Sequence, residues 1–257
     1  MSETLTIVKI GGQVIESPKL LPALLSSFAL LPAPRILVHG GGKKASDMSR
    51  ALGIEPKMID GRRVTDAATL DIVTMVYAGL VNKQLVARLQ ALGVNAVGFS
   101  GADANLISAK RRTYGLVDYG FVGDVTSVNT AFLSECLSQQ LSPVISPITH
   151  DGAGQLLNTN ADSIASALAV AMAQRFRVRL LFGFEKPGVL LVPEDEHSII
   201  PRIDRAYYQQ LRAEGIITAG MLPKLDNAFS AIEQGVAEVV LGDRHTLFDG
   251  RGTVVQA

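Results

Sequence analysis

In 36-ILVHGGGKKAS-46 an apolar run ends in three glycines followed by two lysines. That is the pattern of a buried strand turning sharply into a helix, with a turn whose backbone N–H groups can approach an anion. Two familiar phosphate loops do not fit it. The P-loop spacing G-x-x-x-x-G-K-[ST] needs a glycine and a hydroxyl where the chain has Leu37 and Lys44, and the dinucleotide fingerprint G-x-G-x-x-G needs a glycine in place of Ala45.

Outward from this stretch the same alternation repeats. TLTIVKI (4–10), RILVHG (35–40), NAVGFS (95–100), SPVISPI (142–148), VRLLFGF (178–184) and AEVVLG (237–242) read as strands, most too continuously apolar to have a wet face. Helical patterns lie between them: LLPALLSSFAL (20–30), KKASDMSRALG (43–53), the long run 67–93 and ADSIASALAVAMAQRF (161–176). The fold class is α/β, with an open, mainly parallel sheet and helices on both faces. Residues 110–129, rich in glycine and tyrosine, predict a β-hairpin, and 185–204 is the most turn-rich segment.

The 257 residues carry 24 basic and 24 acidic side chains, so no global charge favours nucleic acid or a membrane surface. No apolar run approaches the roughly 18 residues that span a bilayer. Cys136 is the only cysteine and excludes a disulfide framework; it reads as a packing residue on a helix. A cytoplasmic protein acting on a small molecule is the simplest expectation.

In an open parallel sheet, ligands bind beyond the carboxyl ends of the strands. Lys9, Gly11 and Gly12 follow the first strand, and His39, Gly40, Gly41 and Gly42 the second, so two glycine turns and a lysine meet on one rim. Lys9 lies in a buried strand, which is costly unless its ammonium finds a partner. Asn158, Asn160 and Asp162 precede a long helix, where Asn160 or Asp162 caps it or the group binds a ligand. Gly220, Met221 and Lys224 repeat the glycine-then-lysine order before another helical pattern. Arg62 and Arg63 form either a solvated pair or a fork for a carboxylate. The four histidines have no zinc spacing, and His39 reads as a positioning residue.

In this order KIGG, VHGGG, GRRVT, GLVNK, NTNAD and GMLPK resemble the amino acid kinase family along essentially the whole chain, most closely its acylglutamate-phosphorylating branch. The resemblance implies a three-layer αβα sandwich. It implies an N-lobe, about 1–175, for an N-acylglutamate and a C-lobe, about 176–257, for ATP with Mg2+ held mainly through the phosphates. The γ-phosphoryl would pass to the side-chain carboxylate of N-acetyl-L-glutamate, with N-succinylglutamate as the alternative. Lys9 and Lys224 would flank the phosphoryl and Asp162 would hold them. Gly11, Gly12, Gly41 and Gly42 would donate N–H groups, Gly220 and Met221 would join the ATP site, and Arg63, Asn158 and Asn160 would bind the acceptor.

The chain departs from the family pattern at Phe184, Glu185, Lys186, Pro187 and Gly188, on the nucleotide side, and at Ala219. Only a few residues precede Lys9, from which an arginine-insensitive homodimer is expected. Lys110, Arg111 and Arg112 are the basic residues that would favour a succinyl group. Two rivals use the same residues differently. An α/β-hydrolase would take Ser100 in 98-GFSGA-102 as nucleophile with Asp243 and His245. A non-catalytic amino-acid sensor would have lost its nucleotide site at the altered segment.

Overall fold

The computed structural model describes residues 3–59, 61–113, 117–217 and 221–256. The first half runs β1 (Thr4–Ile10), α1 (Gly12–Glu16), α2 (Leu20–Leu30), β2 (Arg35–His39), α3 (Gly42–Ala51), β3 (Met58–Ile59), β4 (Arg62–Arg63), α4 (Ala67–Thr74), α5 (Asn82–Ala91), β5 (Ala96–Phe99), β6 (Ile107–Arg111) and β7 (Gly123–Val128). The second runs α6 (Thr130–Ser138), β8 (Ser142–Ile145), β9 (Ile148–His150), β10 (Leu156–Asn158), α7 (Ala161–Met172), β11 (Arg177–Gly183), β12 (Arg202–Ile203), α8 (Arg205–Ala213), α9 (Leu222–Glu233), β13 (Glu238–Gly242) and β14 (Thr253–Val255). Between α4 and α5 the helix continues and widens into a π-helical segment, Met75–Val81.

The main sheet has the order β12-β14-β13-β11-β1-β2-β8-β5. Its run from β13 to β5 is parallel throughout and consists of the six apolar runs that the sequence predicts as strands. Only the short edge pair β14 and β12 runs the other way, with β14 antiparallel to β13. The expected hairpin is present as β6 and β7 in a second sheet, β10-β9-β6-β7.

Alternation along the strands sorts side chains to two faces. Leu5 and Ile7 of β1, with Ile36 and Val38 of β2, pack against α6, α7, α8 and α9. Val8 and Ile10, with Leu37, pack against helices α1 to α5. The result is a helix–sheet–helix sandwich, as expected. Continuing the same parity, Lys9 projects on the α7 and α9 face and His39 on the α5 face. Cys136 is buried on α6, where burial pushes its thiol up.

Candidate active site

Lys9 emerges at the carboxyl end of β1 with 6% of its surface exposed. Parity aims it at the first turn of α7, where Asn160 caps the helix by accepting from the backbone N–H groups of Asp162 (2.8 Å) and Ser163 (3.1 Å). The cap places Asp162 over the sheet edge. Its Oδ1 lies 2.7 Å from Lys9 Nζ, and its Oδ2 accepts from Lys224 Nζ at 2.9 Å. Lys224 comes from the first turn of α9, which packs on α7. One carboxylate thus joins two ammonium groups from distant parts of the chain.

The charges are strongly coupled. Burial pushes the Asp162 carboxyl upward, but the two lysines outweigh it and hold it at about 2. For Lys9 burial dominates and lowers its pKa, with Lys224 acting in the same direction and Asp162 against it.

Two cavities flank this bridge. One is lined by Lys9, Asp162, Gly12, Gly40, Gly41, Gly42, Arg63, Asn158 and Asn160, and the other by Lys224, Met221, Glu185, Phe184 and apolar side chains including Val189 and Ile217. In the first, the two glycine turns face each other: a Cβ added at Gly12 would stand 3.7 Å from Gly42 N. Gly42 opens α3 with no side-chain cap, so the helix presents its positive end and free N–H groups there. At Gly41, φ is +150° and an added Cβ would come 3.0 Å from Tyr77 Cδ1, which restricts the position to glycine.

Arg63 is buried, not part of an exposed pair; Arg62 alone is exposed. Arg63 Nη2 donates to Gly42 O (2.7 Å) and Ser46 Oγ (2.8 Å), while Nη1, also buried, has no hydrogen-bond partner among the described residues. An unpaired buried guanidinium N–H on a residue that lines the cavity is a place for an acceptor from outside the chain. Asn158 donates to Thr65 Oγ1 (2.9 Å), tying this wall of the cavity to the segment that follows β4.

The structure revises one expected donor and gives Asn160 a structural role. Gly11 N–H is given to Gly183 O (3.2 Å), so it is not free for a phosphate, and the residue serves the turn after β1. Asn160 caps α7 through its oxygen while still lining the cavity. Gly220 lies outside the described residues. Two contributors were missed: Tyr77, hidden in an apolar helical pattern, and Thr65, whose hydroxyl has no recognisable spacing. Of the three basic hairpin residues only Arg112 lines the cavity, paired with Asp124.

The hydrolase reading fails on geometry. Ser100 follows β5 and Asp243 and His245 follow β13, and these strands stand at opposite ends of the parallel run, five spacings or about 24 Å apart. Ser100 Oγ instead donates to Asp103 (2.8 Å).

A mainly parallel αβα sandwich with glycine turns and joined lysines beyond its strands defines an α/β protein whose candidate site lies at the carboxyl ends of the strands. The match to the amino acid kinase family runs from residue 4 to 243, and the chain belongs to that family. It is 50% identical to acetylglutamate kinase of Parabacteroides distasonis over 98% of this chain and 99% of that one, and 50% identical to acetylglutamate kinase of Phocaeicola vulgatus over the full length of both. The solved structure of smu.665 from Streptococcus mutans superposes with a TM-score of 0.81 at 28% identity, covering 98% of each chain.

Proposed function

We propose that the protein transfers the γ-phosphoryl of ATP to the side-chain carboxylate of N-acetyl-L-glutamate, making N-acetylglutamyl 5-phosphate in arginine biosynthesis. The observation that carries this reading is the Lys9, Asp162 and Lys224 bridge between two cavities. The full-length relatives named acetylglutamate kinase support the choice of acceptor.

The chemistry needs little covalent help. A carboxylate is ionised near neutral pH and is its own nucleophile, so no general base is required. The obstacle is bringing two anions together. Lys9 on the acceptor side and Lys224 on the nucleotide side supply positive charge to the oxygens of the group in transit, while Asp162 keeps both ammonium groups in place. The N–H groups of Gly12, Gly41 and Gly42 complete the cradle. Arg63 Nη1 takes the acceptor's α-carboxylate, and Asn158 and Asn160 take its amide. In the second cavity Phe184, Val189 and Ile217 offer an apolar wall to the base, with Met221 and Lys224 at its phosphate end. This donor set of ammonium and N–H groups fits a polyphosphate. Mg2+ would enter with the nucleotide and neutralise its phosphate oxygens. In this reading the acceptor lobe ends near residue 175, and the enzyme works as a homodimer in the cytoplasm.

A second reading keeps the reaction and changes the acyl group to succinyl, because Arg112 lines the acceptor cavity. ADP release from MgATP, measured with N-acetylglutamate and N-succinylglutamate side by side, tests both. Faster turnover of the acetyl substrate agrees with the proposal; preference for succinyl replaces it with the second reading; and no acceptor-dependent ADP in folded protein contradicts the reaction.

A further inference from the structure

One buried ionisable group that the proposed reaction leaves unused is His39, whose surface is 0% exposed. Its neighbours decide its protonation. The amide nitrogen of Asn82, first residue of α5, lies 2.9 Å from Val144 O and 3.1 Å from His39 Nε2, and its oxygen accepts from Lys83 Nζ at 3.2 Å. A carbonyl can only accept and an ammonium only donate, so the Asn82 amide has one orientation. It must donate to Nε2, which therefore carries the lone pair, and the ring proton sits on Nδ1, 2.7 Å from Gly40 O. The network has no slack, since a Cβ at Gly98 would lie 1.9 Å from Asn82 Oδ1. Burial pulls the His39 ring down to about 4, with the Gly40 bond opposing and the Lys83 charge assisting.

We propose that His39 and Asn82 are positioning residues that set the phosphoryl cradle: the Nδ1–H of neutral His39 holds the Gly40 carbonyl and thereby turns the N–H of Gly41 toward the facing glycine turn. In a trans peptide the carbonyl and the following N–H point in opposite directions. Gly41 N lies on the Gly12 side, 3.9 Å from where a Gly12 Cβ would stand. Among the described residues, neither Gly41 nor Gly42 gives its N–H to a protein acceptor. The GLVNK run, where the π-helical segment passes into α5, thus acts at the rim through the histidine. Among the described residues Lys83, which also donates to Gly98 O (3.2 Å), is the charged group that shifts His39.

The inference rests on reading the cavity as a phosphoryl-transfer site, and two readouts separate the two. Nitrogen-15 NMR of the imidazole in the wild-type protein needs no turnover. The neutral Nδ1–H form is expected from about pH 6 to about pH 9, and an Nε2–H tautomer or an imidazolium at about pH 7 overturns the inference. In kinetics, His39→Asn keeps an N–H near the Nδ1 position and should hold kcat within about threefold, whereas His39→Gln reaches Asn82 but leaves Gly40 unpaired and should lower kcat by about 10- to 100-fold with little change in KM. Equal kcat in the two variants, or a wild-type rate in His39→Gln, overturns it, and the NMR test stands if either variant fails to fold. A wild-type enzyme that makes no ADP counts against the reaction, not against the tautomer.

Discussion

Lys9 Nζ and Asp162 Oδ1 stand 2.7 Å apart with both residues almost enclosed, and the second oxygen of the same carboxylate holds Lys224. Burying one such pair is costly; a buried Lys9 and a half-buried Lys224 around one carboxylate leave net positive charge at the bridge itself. That surplus is suited to a ligand bringing more negative charge than the protein supplies.

Removing the shared carboxylate strands both ammonium groups. Asp162→Asn is expected to cost about 3–5 kcal/mol of stability in urea unfolding. It should also lower kcat by at least about 100-fold. Stability and rate equal to wild type would remove Asp162 from the centre.

The same carboxylate gives a pH signature. Burial opposes its ionisation but Lys9 and Lys224 prevail, so its folded value of about 2 lies below the ordinary 3.8. A lowered folded pKa contributes stability above the unfolded value, and that contribution disappears as pH falls from about 4 through about 2. Wild type should lose about 2 kcal/mol across this window relative to Asp162→Asn. Parallel stability curves for the two proteins would contradict the coupling.

The two cationic ends should separate kinetically. Lys224→Ala is expected to lower kcat by about 100-fold or more, while Arg63→Ala should raise KM for the acylglutamate by about 10- to 100-fold with a smaller effect on kcat. Arg63→Lys should not rescue binding, because the lysine ammonium lacks the planar fork by which the guanidinium holds Gly42 O and Ser46 through one nitrogen and offers the other to the ligand. The reverse pattern would exchange the roles assigned to the two residues.

How much of this was legible follows from where each signal lives. The parallel run could be read because each of its strands is a short apolar segment between helical patterns. β12 and β14 could not, being two and three residues long. Lys9 was legible because a lysine in an apolar strand demands an explanation, and parity accounts for its meeting α7 once the strand direction is known. The order of strands was not, since it depends on which crossover packs beside which. Tyr77 supports Gly41 through shape rather than polarity, so nothing in the helical pattern around it announces the contact. Asn160 caps α7 and also lines the cavity, which is why its place in the sequence suits either reading.

Shape gives its own test. Gly41→Ala would put a methyl group against the Tyr77 ring at a strained φ, and should cost about 1–3 kcal/mol of stability along with most activity. Adding Tyr77→Leu should restore part of the stability and little of the rate, since the backbone strain at Gly41 remains. A fully active Gly41→Ala enzyme would show that the turn is not a cradle.

The central claim is that the side-chain carboxylate of the acceptor receives the phosphoryl group. Hydroxylamine added to protein, MgATP and N-acetylglutamate tests it most directly, because an acyl phosphate is converted to a hydroxamate at the carbon that carried it. One hydroxamate is expected, on the side-chain carboxyl and formed in step with ADP; ADP without hydroxamate, or a hydroxamate on the α-carboxyl, would contradict transfer to the side chain.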